Sequence, residues 1–186
     1  MAQAVKHIVV VGDGHVGKTS LLYAYTDGSF NEFYQATIYD KEEITLTVDN
    51  ITYAVQLHDT AGQEDYDKIR QQFYKKADAF LLCYSIAERT SFDNIQLKWI
   101  PELRHVQPNI PIVLVATKAD TRTVHSVTTT EGLSLQRKIN SNTFIECSAK
   151  MSHNVQLVIE EAVRAAVNGV KTDHIEEENE CSCWCF

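Results

Sequence analysis

The sequence predicts an α/β domain: a mostly parallel six-stranded sheet with one antiparallel edge strand and helices on both faces. Three observations carry this reading. A β-branched run at residues 7–11 ends at Gly12, and after a short loop residues 19–25 supply Leu21, Leu22 and Ala24 as helix formers. Apolar runs recur at residues 79–84, 112–116 and 143–147, each followed by a longer stretch with helical spacing, of which residues 155–167 are the clearest. That alternation is the rhythm of parallel strands joined by crossover helices. Residues 43–48 and 51–57 alternate apolar and polar side chains around Asp49-Asn50, as a hairpin with an antiparallel outer strand would.

The chain has 186 residues and a mass of 21.1 kDa, with 44% hydrophobic and 23% charged residues, which fits one domain plus a tail. The expected domain is 1–168. From residue 169 to 186 the periodicity stops, and Lys171 stands against Asp173, Glu176, Glu177, Glu178 and Glu180, which makes a flexible acidic tail. A net charge of -8 and a pI near 5.3 argue against nucleic acid as a partner. No secretory signal and no run of apolar residues long enough to span a membrane is expected. Cys83 and Cys147 lie in apolar runs, and Cys181, Cys183 and Cys185 crowd the end; this is no disulfide framework, so a reducing cytosolic compartment is expected.

Residues 12–19 read GDGHVGKT and satisfy G-x-x-x-x-G-K-[ST] between a strand and a helix. Glycines let successive N–H groups converge on phosphate oxygens, and the helix N-terminus adds its dipole. Lys18 would reach the β and γ phosphates, and Thr19 would offer a hydroxyl to Mg²⁺. The bland alternative is a Gly-rich turn with no ligand. Two later motifs narrow the ligand. In residues 59–63, DTAGQ, Asp59 can hold Mg²⁺ through water and the Gly62 N–H can meet a γ phosphate. In residues 117–120, TKAD, Asp120 can accept two hydrogen bonds from the guanine edge, a pairing adenine cannot return.

With residues 146–150, ECSAK, these motifs resemble a small GTPase of the Ras superfamily, closest to its Rho/Rac branch, and imply a P-loop NTPase G domain that switches between GTP and GDP with Mg²⁺. The branch-level likeness rests on Gly12-Asp13-Gly14, on residues 59–66, DTAGQEDY, on residues 117–120, TKAD, and on residues 146–150, ECSAK. The resemblance implies a nucleotide site of Gly14, His15, Val16, Gly17, Lys18, Thr19 and Ser20 in the loop, with Tyr34 folding over the phosphates. Phe30 and the Lys118 stem would flank the base; Asp120, Ser148, Ala149 and Lys150 would complete its pocket, with the Ala149 N–H on the guanine O6. Thr37 would join Thr19 and Asp59 at the metal and sense the γ phosphate. Gln63 would orient the attacking water, so that Gln63, Lys18 and Thr37 form the catalytic set. Taken singly, Thr37 could be a surface threonine and Gln63 a solvated glutamine; their order behind the loop favours the functional roles.

The implied partners are exchange factors, GTPase-activating proteins that donate an arginine in trans, a dissociation inhibitor, and effectors that read residues 30–42 and 60–76. The implied process is actin control by a monomer at the cytoplasmic face of the cell membrane, with a cytosolic pool. The residues depart from the family pattern at His15, at Ala36, at His58 where a tryptophan often stands, and at residues 71–73 with Lys75. Only 27 residues, 121–147, separate Asp120 from Ser148, too few for the extra surface helix of most Rho proteins. The final Cys183-Trp184-Cys185-Phe186 fits C-a-a-X prenylation at Cys183, with Cys181 as a second, palmitoylated anchor; an unmodified end is the alternative. Arg70, the first arginine in the chain, is expected on a helix as a surface or partner contact. The other classes weighed are a P-loop kinase or ATPase and a GTP-binding module without hydrolysis.

Overall fold

Six strands form one sheet in the order β2-β3-β1-β4-β5-β6. They are β1 (Lys6–Val11), β2 (Tyr39–Val48), β3 (Ile51–Thr60), β4 (Ala79–Ser85), β5 (Ile112–Thr117) and β6 (Thr143–Glu146). The structure, a computed structural model, describes residues 5–30, 39–62 and 67–170. Its helices are α1 (Lys18–Thr26), α2 (Asp67–Tyr74), α3 (Arg89–Asn94), α4 (Ile100–Val106), α5 (Thr129–Ile139) and α6 (Val155–Asn168), and a π turn, Ile95–Trp99, joins α3 to α4.

Only β2 runs antiparallel to its neighbour, as the alternating pattern predicts. Asp49 (φ 52°) and Asn50 (φ 64°) are both left-handed, the geometry that a two-residue hairpin turn demands and that these two residue types tolerate. The inner strands β1, β4 and β5 are covered on both faces. Ile8 and Val10 point with Leu81, Cys83 and Val115 into a core closed by α1 and α6. Val9 and Val11 point the other way, with Phe80, Leu82 and Leu114, against Trp99, Leu103 and Leu135.

β3 continues three residues past the predicted run, through His58, Asp59 and Thr60, although these are polar. Pairing with β1 carries on through Val10↔Asp59, and the Thr60 hydroxyl donates to the Val10 carbonyl at 2.7 Å, which satisfies a buried group that composition marks as a loop residue. Residues 121–147 hold α5, β6 and short connections, with no additional helix.

The N-terminus of α5 is closed by a capping box. The Thr128 N–H donates to Glu131 Oε2 at 2.9 Å, the Glu131 N–H donates to Thr128 Oγ1 at 3.2 Å, and Arg89 Nη1 donates to Glu131 Oε1 at 2.6 Å. The Thr128 N–H, then the Arg89 guanidinium, hold the Glu131 carboxyl down to about 2. A depressed acid stabilises the fold above its ordinary pKa of 4.5 and loses that contribution as the pH falls towards 2. Glu131→Gln is therefore expected to lower stability at pH 7 by less than about 1 kcal/mol, since the side chain is exposed. The gap between parent and variant in urea denaturation should close between pH 4.5 and 2.

Candidate functional site

β1 lies between β3 and β4, so the chain leaving it emerges where the strand order reverses, the place at which open α/β sheets bind ligands. The loop of residues 12–17 starts with Gly12 (φ 138°) pressed on β4: a Cβ there would collide with the Cys83 carbonyl. It ends at Gly17, which has no side chain to cap α1, and the first turn of the helix holds no acidic residue, so its positive dipole end faces the loop. Lys18 is buried and folds back over the loop, its Nζ donating to the Gly12 and Asp13 carbonyls at 2.8 Å each. Burial pushes its pKa down, with the Asp59 carboxylate acting in opposition.

Beside it, Thr19 Oγ1 donates to Asp59 Oδ2 at 2.5 Å. A hydroxyl and a carboxylate converging next to a phosphate-type loop are hard oxygen donors, and they fit a small divalent cation such as Mg²⁺. The Gly62 main chain packs directly on the loop, where a Cβ would strike the Asp13 and Gly14 backbone, so only glycine allows this close approach. Gly14 has the opposite surroundings: a Cβ added there meets nothing within 4 Å.

The third wall comes from the ends of β5 and β6. The Thr117 hydroxyl lies within hydrogen-bond distance of two carbonyls, Val16 in the loop and Tyr84 on β4, and its one proton serves either. Lys118 (φ 58°) extends along the loop and its Nζ donates to the His15 carbonyl at 2.7 Å. Ser148 is buried; its Oγ donates to Asp120 Oδ1 at 2.5 Å and accepts the Met151 N–H at 3.1 Å, and the Ala119 N–H donates to the Cys147 carbonyl. Asp120 is exposed, aimed outward from this brace, while Ala149 packs on the core and Lys150 and Phe30 are exposed.

Residues 7–168 match the Ras family model. The chain is a member of the Ras family. It is also 48% identical over 168 residues to the Ras-like GTP-binding protein RhoL of Drosophila melanogaster, covering 89% of this chain and 88% of that protein. The sheet, its one antiparallel strand and its flanking helices are those of the Ras-family fold.

For this Ras-family chain, the structure places Gly14, His15, Val16, Gly17, Lys18, Thr19, Ser20, Asp59, Gly62, Lys118, Asp120, Ser148, Ala149 and Lys150 at or just beyond the C-terminal ends of β1, β3, β5 and β6. Tyr34, Thr37, Gln63, Cys181 and Cys183 lie outside the described residues. Arg70 needs correction. It is helical as expected, but it is 1% exposed and not a surface contact: its Nη1 donates to the Ala61 carbonyl at 2.8 Å and its Nε to the Tyr74 hydroxyl at 3.3 Å.

Sequence reasoning missed the brace behind the loop. Trp99 Nε1 donates to Asp13 Oδ1 at 2.7 Å and Asn94 Nδ2 donates to Asp13 Oδ2 at 2.6 Å. Residues five apart point apart on an α-helix, but the π turn, in which the Ile100 N–H reaches the Ile95 carbonyl, brings them onto one side. No sequence signal announces a π turn.

His58 lies on β3 with 5% exposure, its Nε2 3.0 Å from His7 Nδ1, the two rings stacked, and the Phe73 ring of α2 6.0 Å away. Burial, then the neighbouring His7, Lys41 and Lys76, push its pKa down to about 4. The unfolded chain takes up this proton near 6.5 and the folded one resists it, so stability falls as the pH drops from 6.5 to 4 and levels off below. His58→Phe is expected to flatten that part of the profile. Melting temperatures of parent and variant across this interval measure it.

Proposed function

We propose that this chain is a Rho-like GTPase switch that binds GTP, hydrolyses it to GDP and phosphate, and signals in the GTP state. The observation that carries the reading is the Lys118 bond to the His15 carbonyl, which ties the segment bearing Asp120 to the loop of residues 12–17, as a site with a base at one end and phosphates at the other requires. Asp120, fixed by Ser148, reads the guanine N1–H and amine, and the Ala149 N–H meets O6. Lys18 exchanges the Gly12 and Asp13 carbonyls for β and γ phosphate oxygens. Thr19, Asp59 and Thr37 hold Mg²⁺, which supplies positive charge to those oxygens. The Gly62 N–H bonds the γ phosphate while Gln63 orients the attacking water.

The Rho-like branch is supported by the 48% identity to RhoL and by residues 59–66, DTAGQEDY. On this reading, exchange factors, GTPase-activating proteins, a dissociation inhibitor and effectors meet residues 30–42 and 60–76. The domain 1–168 is tethered by tail 169–186, with Cys183 prenylated and Cys181 palmitoylated at the cytoplasmic face of the membrane, where the chain acts on actin. A polybasic second signal is missing from the tail, whose residues 176–180 read EEENE, so the lipids carry the attachment.

Nucleotide competition tests the base assignment. GTP should displace bound fluorescent GDP and ATP should not; equal competition would instead support a P-loop kinase or ATPase. Asp120→Asn should shift preference towards xanthosine nucleotides, because an amide offers one acceptor and one donor where guanine needs two acceptors. Undiminished GTP affinity in that variant would remove Asp120 from the role.

Single-turnover hydrolysis tests the chemistry. No arginine precedes Arg70, and Arg70 is engaged with Ala61 and Tyr74, so the intrinsic rate should be on the order of 10⁻⁴ to 10⁻³ s⁻¹, accelerated up to about 10⁵-fold by an arginine in trans. Gly14→Val adds its side chain where the protein has open space, so the fold should tolerate it and any loss of assisted hydrolysis reports on the site. This variant and Gln63→Leu are both expected to stay in the GTP state; assisted hydrolysis at the parent rate would refute the assignments.

A further inference from the structure

Arg70 is a charged residue with 1% exposure whose bonds go largely to protein groups behind the site. Its Nη1 donates to the Ala61 carbonyl at 2.8 Å, its Nε to the Tyr74 hydroxyl at 3.3 Å, and its Nη2 to Glu102 Oε1 at 3.5 Å, while the Tyr74 hydroxyl donates to the same Glu102 oxygen at 2.7 Å. The guanidinium carbon lies 4.9 Å from the centre of the Trp99 ring. Burying such a group gains little stability over an apolar replacement, so its retention calls for another reason.

The contacts close on themselves. Trp99 Nε1 holds Asp13 Oδ1, Asp13 supports the flat-packed Gly62, Gly62 follows Ala61, the Ala61 carbonyl is held by Arg70, and Arg70 stacks on Trp99. We infer that Arg70 and Trp99 are positioning residues, two links of one ring that fixes the Gly62 N–H at its height above the phosphate loop and thereby sets the preference for a nucleoside triphosphate over a diphosphate. This rests on the guanine-nucleotide reading proposed above. A diphosphate ends at the loop and at Lys18. Only a third phosphate reaches the Gly62 N–H, so only the triphosphate complex senses whether the ring is intact. Asn94 holds the other Asp13 oxygen, and the loop keeps one anchor when the indole N–H is lost.

The test measures GDP and a nonhydrolysable GTP analogue, each by competition against fluorescent GDP with Mg²⁺ in excess, on the full chain. Arg70→Lys keeps the charge but loses the fork that spans Ala61, Tyr74 and Glu102, and Trp99→Phe keeps a ring but loses the N–H. Each should weaken the analogue about tenfold, as the loss of one charge-assisted bond does, while GDP changes by less than about twofold. The double variant should be little worse than either single one, because a ring opens once. Tyr74→Phe removes one hydroxyl and is the gentler probe should either variant fail to fold; it should weaken the analogue about threefold and spare GDP. Equal weakening of both ligands, or no change in either, would overturn the inference and leave the nucleotide reading standing, as would additive losses in the double variant. A parent protein that bound neither GDP nor the analogue would overturn that reading and the inference with it.

Discussion

Gly12 leaves β1 in contact with the Cys83 carbonyl of β4, closer than any side chain would allow, and this approach determines where the following residues can go. The loop starts at the sheet itself rather than above it. The Thr117 hydroxyl holds Val16 to the end of β5, so both ends of the loop are tied to neighbouring parallel strands. With the loop fixed at two points, Lys18 has the Gly12 and Asp13 carbonyls as its resting acceptors, Thr19 meets Asp59 on β3, and Gly62 has a flat surface to lie on. The pairings Val10↔Asp59 and Val10↔Leu81 place the walls of the site at one level because three adjacent strands share one register.

Those parts of the architecture that depend on local pattern could be read from the chain. Residues 8–11 and 112–116 are apolar because both faces of their strands are covered, and Asp49-Asn50 supports a tight turn because both residues accept positive φ. The phosphate loop was equally legible, since glycines, Lys18 and Thr19 at fixed spacing have few other uses. What could not be read were contacts made at a distance. Nothing near Asp13 in sequence announces Asn94 or Trp99, 81 and 86 residues away, and nothing near Arg70 announces that Glu102, 32 residues away, will pair with it in the interior. Arg70 was misread for a general reason: an arginine on a helix is normally at the surface, and tertiary context overrode that prior here.

His58 illustrates how a departure from the family pattern is absorbed. A polar ring on the buried part of β3 is supplied with His7 from the adjacent strand, and α2 covers the pair through Phe73. The same helix carries Arg70 and Tyr74 to the back of the loop. One short helix thus covers the histidine pair at one place and the Arg70 cluster at another, which ties the path of residues 67–74 to both.

The π turn at Ile95–Trp99 makes the segment 89–106 sensitive in an unusual way. In an α-helix each residue advances the facing direction by about 100°, so adding or deleting one residue there would swing Trp99, Glu102 and Leu103 away from their partners together, even if every residue kept its identity. Residue count and residue type are therefore separate demands on this stretch. Exposed positions such as Leu97 can change chemically with little consequence, whereas the spacing between Asn94 and Trp99 cannot change by even one.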